Sequence, residues 1–459
     1  MAGIAAGDRG IVFRNGGQAL KPDGSLTDVG KLALAQTRRF REGLYLLLGE
    51  SERPSARIAI HASSASRIAA RLMGIERSYR ASVAGWNEVV RASGMRFDWV
   101  DSPAIEAGEL QDREYALLIL PQSLSLSPSE ALHIRRFVRE GGALLGDLRA
   151  GILNDRCRRM RYGLLDDVFG VTRRGDGGIL RITTDIKLKG ESAGADASIG
   201  CFDLFDSSIV PTTAAAGGRI ADGDAAAPAF LSNAFGRGKA VYLNAARDPV
   251  VESELPWPAR PEDVGILTAC LQELDGVAEY QVLTESGKVP RIQLDVFVSG
   301  PDRYIAIRAD GATAGSDARL PLRSDYWRYD LISGVTLGRG SELLLKNLRA
   351  EGRIRLVALL AKGDGKPRVA AGARARVGER VTYRVTPPSD SGRRVYRVEV
   401  FDAAGRARKE YGSVLSCRET TAEGAFYSAL NDVPGVWRIC ITDVVTRENT
   451  TAEVQLRRE

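Results

Sequence analysis

The sequence predicts an α/β domain followed by two antiparallel β domains. Residues 115–120 form an unbroken apolar run ended by Pro121, as expected of a strand covered on both faces. Residues 127–142 then read as a complete helix. Ser127 is the N-cap, Pro128 follows at the first helical position and Glu130 closes a capping box; Gly141-Gly142 makes the left-handed stop. A second apolar run, 143–148, completes a strand–helix–strand unit, which closes right-handed and implies three layers. From about residue 280 the apolar period changes from helical to two.

Taken in order, residues 1–53 hold a short apolar strand (10–13), the turn Asp23-Gly24-Ser25-Leu26-Thr27 and an amphipathic helix over 28–48. One strand and one helix cannot bury a core alone. The segment must pack onto the next domain or be the last β/α unit of something larger. Residues 54–279 form the α/β domain. Its first strand is 57–61. A helix over 79–92 carries Val83, Trp86, Val89 and Val90 at core spacing, and a second strand spans 95–100. Residues 164–170 read as a short helix closed by Gly170, and 172–226 as an insertion of irregular strands. A hairpin turns around Phe235-Gly236-Arg237-Gly238-Lys239, and a last helix covers 261–274. Residues 280–362 read as a small β-sandwich and 363–459 as a second sandwich of the immunoglobulin-like kind, with Trp437 in its core.

Composition bounds the chemistry. Five cysteines show no C-x-x-C spacing, which favours a reducing compartment and gives no metal-ligand pattern. The two histidines, His61 and His133, are too few for a histidine-rich site, and His133 falls on a polar helix face. The net charge is +6, and Arg156, Arg158, Arg159 and Arg161 form the one dense basic cluster. No aromatic platform is interleaved with it, so a solvated loop is expected and no nucleic acid. No stretch approaches 18 apolar residues and no early segment suits a secretion signal, so neither membrane association nor export is expected and the location is read as cytoplasmic. Gly236-Arg237-Gly238-Lys239 lacks phosphate-loop spacing.

The stretches YALLILP (115–121), IRRFVREGGALLGD (134–147), LLDDVFG (164–170) and GRGKAVYL (236–243) together resemble the middle, trimerisation domain of family 42 glycoside hydrolases, the β-galactosidases. That resemblance implies a flavodoxin-like fold similar to class I glutamine amidotransferases. It implies a preceding (β/α)8 barrel of which residues 1–53 would be the final unit, with β-domains following. It also implies a homo-oligomer, trimeric in the family, and carbohydrate as a candidate ligand. The family's two catalytic glutamates lie on barrel strands, and no residue here inherits their roles. Asp166 and Asp167 are read as solvated helix residues. An active amidotransferase carries cysteine in the turn after the strand at 143–148, with histidine downstream. Here Arg149 stands there, Cys157 lies too far on, and no histidine follows His133. The expectation is therefore a non-catalytic assembly region of such a hydrolase, with a carbohydrate-binding module or a hydrolase active only with its missing barrel as the alternatives: no catalytic residue, no metal ligand, no cofactor and an unknown ligand site. His61-Ala62-Ser63-Ser64, Pro121-Gln122-Ser123 and Asp147-Leu148-Arg149 should gather beyond the carboxyl ends of the strands. There they form either an Arg149-centred site for a carboxylate or sugar, or an Asp147–Arg149 cluster that fixes the loop. Tyr326, Trp327 and Tyr329 are candidate sugar-stacking aromatics, with Trp327 expected on one face and the tyrosines on the other.

Overall fold

The computed structural model describes residues 19–92, 95–175, 178–182, 186–187, 198–199, 202–222, 225–248, 280, 282–284, 292–309, 317–346, 354–363, 365–388, 392–418 and 421–458. The expected strand at 10–13, the helix at 261–274 and two of the cysteines, Cys201 and Cys270, lie outside them. The chain divides into two compact units, one of residues 55–292 and one joining residues 1–54 to 293–459.

In the first unit the strands β1 (Ile58–His61), β2 (Phe97–Val100), β3 (Leu117–Leu120) and β4 (Ala143–Gly146) are parallel, as is the later β7 (Gly238–Leu243) beside β4. Their order is β2-β1-β3-β4-β7. The sheet continues beyond β7 through two antiparallel strands, β6 (Ala225–Phe235) and β5 (Ala215–Asp222). Side-chain alternation divides the core. Ile58, Ile60, Leu117, Ile119 and Leu145 pack against Trp86, Val89 and Val90 of the helix Glu76–Ala92. Ala59, Leu118, Leu120 and Leu144 pack against Ala131, Ile134, Phe137 and Val138 of the helix Pro128–Arg139. Helices thus cover both faces, which is why the strands read as continuous apolar runs. The capping box at Ser127 and Glu130 forms as the sequence requires.

The helix Ser64–Leu72, capped by Ser63, was not among the expected elements. Its stripe is small: Ala69 and Ala70 pack on Tyr79, Leu124, Ile152 and Leu153, while Ile68 and Leu72 stay exposed. The helix therefore lies against residues that follow β3 and β4 and helps to close that end of the sheet. The expected hairpin forms between β6 and β7, pairing Phe235 with Gly238. Gly238 is needed there, because a Cβ would stand 2.2 Å from the carbonyl oxygens of both Gly142 and Val138.

In the second unit a helix Asp28–Gln36 leads into a wider π turn, Phe40–Leu44, and then a short helix, Tyr45–Gly49. Phe40, Leu44, Leu47 and Leu48 are buried among Phe297, Tyr304, Leu356, Ala358, Val395, Val444 and Val445. The apolar stripe of this N-terminal segment is thus spent on the β region. Among the described residues, 293–360 form one sheet where two facing sheets were expected; the helical segment supplies the cover that a second sheet would give. Residues 368–457 form a three-stranded and a five-stranded sheet around one core that includes Tyr383, Tyr396, Phe426 and Trp437. Trp327 and Tyr329, two apart on one strand, pack on the same cluster rather than on opposite faces. Tyr329 is buried and donates to the Gly363 carbonyl at 3.1 Å, so it offers no stacking surface.

Candidate functional site

The residues expected beyond the strand ends do gather there, and they form a buried polar layer. His61, Ser63, Ser66, Ser78, Ser82, Gln122, Ser123, Ser125, Glu130 and Asp147 are all buried. Ser123 Oγ lies 2.9 Å from His61 Nδ1, and His61 Nε2 lies 3.2 Å from Glu130 Oε1 without hydrogen-bond geometry. This order of serine, imidazole and carboxylate is that of a hydrolytic triad. Both groups are closed off from solvent, for Ser123 is 0% exposed and His61 1%. Glu130 is also committed to the capping box, accepting from the Ser127 N–H at 2.6 Å. Burial opposes ionisation of Glu130, but His61, the Ser127 N–H and Ser102 outweigh it and hold the carboxyl below its ordinary value. The chain of contacts ties the end of β1 to the loop after β3 and to the start of the helix Pro128–Arg139.

Asp147 and Arg149 do not pair. Asp147 turns inward, where Oδ2 accepts from Ser82 and from Trp86 Nε1 (3.0 Å) and Oδ1 accepts from the Gln122 N–H. Burial pushes its carboxyl up to about 7, against the pull of these donors. Arg149 turns the other way. Its backbone sits in the left-handed region at φ 62°, a conformation that costs a side-chain-bearing residue roughly 1–2 kcal/mol. Its N–H donates to Tyr242 Oη at 2.8 Å and its Nε to Asp206 at 2.7 Å.

Asp206 is the hub that sequence reasoning missed. It accepts from Arg149, lies 3.4 Å from Arg173 and accepts from the Ser208 hydroxyl at 2.5 Å and N–H at 2.9 Å. Burial raises its pKa, but Arg149 and Ser208 outweigh burial and leave it below the ordinary value. Arg173 forks onto Asp166, with Nη2 at 2.9 Å from Oδ1. Asp166 is therefore a buried structural carboxylate, not a solvated one; only Asp167 stays at the surface, paired with Arg135. Burial disfavours the Arg173 charge, yet the Tyr242, Asp166 and Asp206 fields prevail and raise its pKa. No local pattern joins Asp166, Arg173 and Asp206. They meet through two short strand pairs, Val171–Arg173 with Ile209–Pro211 and Leu204–Asp206 with Ile179–Arg181.

Above this layer a cavity of about 220 Å³ is lined by Ala69, Leu72, Met73, Arg149, Ile152, Leu153, Cys157 and Arg159. Among the described residues no group of histidine, cysteine and carboxylate side chains has the arrangement of a metal site. No helix among them is long and apolar enough to cross a membrane.

A family model described as the beta-galactosidase trimerisation domain matches residues 56–255. Two solved structures share the fold. A beta-galactosidase from Bacillus circulans sp. alkalophilus matches with a TM-score of 0.57 at 18% identity, covering 74% of this chain and 46% of that one. One from Rahnella sp. R3 matches with a TM-score of 0.53 at 18% identity, with the same coverage. The chain thus spans less than half the length of these enzymes. No curated protein sequence matches it.

Proposed function

We propose that the chain is a non-catalytic assembly and accessory region of a β-galactosidase-like glycoside hydrolase, whose α/β domain makes contacts between copies. The match of residues 56–255 to a trimerisation domain carries this reading. The parallel order β2-β1-β3-β4-β7 supports the flavodoxin-like assignment. The shared core of the two C-terminal sheets supports an immunoglobulin-like one. Residues 1–53 are read as the final unit of a barrel, on the likeness in order of parts to the longer enzymes.

The commitments of four buried carboxylates of the α/β unit support the non-catalytic part. Asp166 and Asp206 hold arginines, Glu130 closes a capping box and Asp147 is enclosed by donors. None is free to act as nucleophile or acid on a sugar. Light scattering across concentration tests the assembly role. A concentration-dependent rise toward about three times the 49.5 kDa chain mass is expected. A strict monomer at high concentration overturns it. Nitrophenyl glycosides should show no turnover with this chain, and measurable hydrolysis would overturn the non-catalytic reading.

A further inference from the structure

We propose that the cavity at Arg149 and Arg159 binds a small organic oxyanion, a carboxylate or sulfate on a body no larger than about one sugar ring. Four observations converge on it. The cavity lies beyond the carboxyl ends of the parallel strands, where ligands of open α/β sheets bind. At about 220 Å³ it falls just below the ~300 Å³ floor of drug-sized pockets, which limits the ligand's size. Its lining combines the apolar Leu72, Met73, Ile152 and Leu153 with the cationic Arg149 and Arg159.

The second observation is uncompensated charge. Arg156, Arg158, Arg159 and Arg161 are all exposed, and none makes an ion pair among the described residues; Arg161 lies over the Tyr162 ring at 5.2 Å. Asp155, the acid of this loop, is exposed too and takes no part in an ion pair among those residues. Third, the backbone that carries these charges is tied down. Asn154 Oδ1 accepts from the N–H of Arg156 at 3.1 Å and of Arg158 at 2.9 Å, and the Met160 N–H donates to the Ile152 carbonyl at 3.0 Å. Like charges held together on a fixed loop repel, and an anion seated among them relieves that repulsion.

Fourth, two lining residues, Arg149 at φ 62° and Cys157 at φ 56°, hold left-handed backbones. Strain of this kind gathers at ligand clamps. Arg149 has its Nε engaged by Asp206, so Arg159 is the cation left to receive the ligand.

The test uses the full chain with glucuronate as probe, galactose as the neutral control and sodium chloride to match ionic strength. Glucuronate should raise the Tm and slow alkylation of Cys157 by iodoacetamide, read by peptide mass spectrometry, while galactose and chloride should do neither. Arg159→Gln should weaken glucuronate binding about tenfold, the value of one charge-assisted contact. Leu72→Glu, which sets a carboxylate at the rim, should weaken it by a similar factor. Arg374→Gln, exposed in the C-terminal β region, should leave it unchanged. Equal protection by galactose or chloride, or unchanged binding in both Arg159→Gln and Leu72→Glu, would overturn the proposal. The oligomer mass of Arg159→Gln should equal that of the parent chain; a shift in mass with unchanged glucuronate binding would assign the basic loop to subunit contact and overturn the ligand site.

Discussion

Asp147→Asn decides which of two effects governs the turn after β4. Desolvation favours the protonated carboxyl; three donors, from Ser82, Trp86 and Gln122, favour the carboxylate. With desolvation ahead, the carboxyl rises from 3.8 to about 7. A group whose folded pKa lies above its unfolded one stabilises fully below the unfolded value, and that stability is lost as pH rises through the folded value. The window is therefore about pH 4 to 7. At about 1.4 kcal/mol per unit, wild type should lose ~4 kcal/mol from this group across it. Asparagine keeps the volume and cannot titrate. It also leaves one N–H, of Trp86 or of Gln122, facing an amide N–H, at a cost of roughly 1–3 kcal/mol. The two effects have opposite signs at high pH. Asp147→Asn should be less stable than wild type by ~1–3 kcal/mol near pH 4 and equal or more stable near pH 8. Urea unfolding of both chains at steps between these pH values, followed by tryptophan fluorescence, reads the crossover. Trp86 reports on the unit concerned, since its indole contacts Asp147. A penalty that grows with pH would mean that the donors outweigh desolvation and would refute the reasoning.

Three further outcomes follow from the same region. Asp206→Ala should cost ~3–5 kcal/mol, because it strips the partner from Arg149 and one partner from Arg173, both partly buried; Arg149→Ala should cost less, because Asp206 keeps Arg173 and Ser208. Urea midpoints would reveal a reversed order if the hub were wrongly assigned. Arg149→Gly should recover ~1 kcal/mol relative to Arg149→Ala by relieving the left-handed backbone at φ 62°, and an equal or lower stability would show that the turn carries no strain. Gly238→Ala should cost ~3 kcal/mol or more, since its Cβ meets two carbonyl oxygens at 2.2 Å; a Tm within a degree or two of wild type would mean that the hairpin shifts freely.

The fold was legible wherever the signal was local. The strand–helix–strand unit could be read because its apolar runs, its capping box and its glycine stop all lie within a few residues of one another. The hairpin at Gly236 was legible for the same reason. The helix Ser64–Leu72 was not, because its buried stripe is made of small residues, Ser66, Ala69 and Ala70, while its large apolar residues, Ile68 and Leu72, face solvent. The second sheet expected within 280–362 was a matter of cover. Alternation shows that a strand has one buried face, but not whether a sheet or a distant helix buries it. Here Phe40, Leu44 and Leu47 do so from more than 200 residues away in the chain.

The site was legible in position and not in partnership. Proximity in sequence suggested Asp147 with Arg149, yet Arg149 itself sits at φ 62° and the two side chains go apart. Arg149 then finds Asp206 and Asp147 finds Trp86, each through segments that no periodicity connects. The consequence is physical. A sharp turn of this kind stays folded only if its surroundings over-determine it. Here the Tyr242 hydroxyl, the Asp206 carboxylate and the enclosed Asp147 supply that determination on either side of the strained residue. In this chain the turn is held by the ion pair of Arg149 with Asp206.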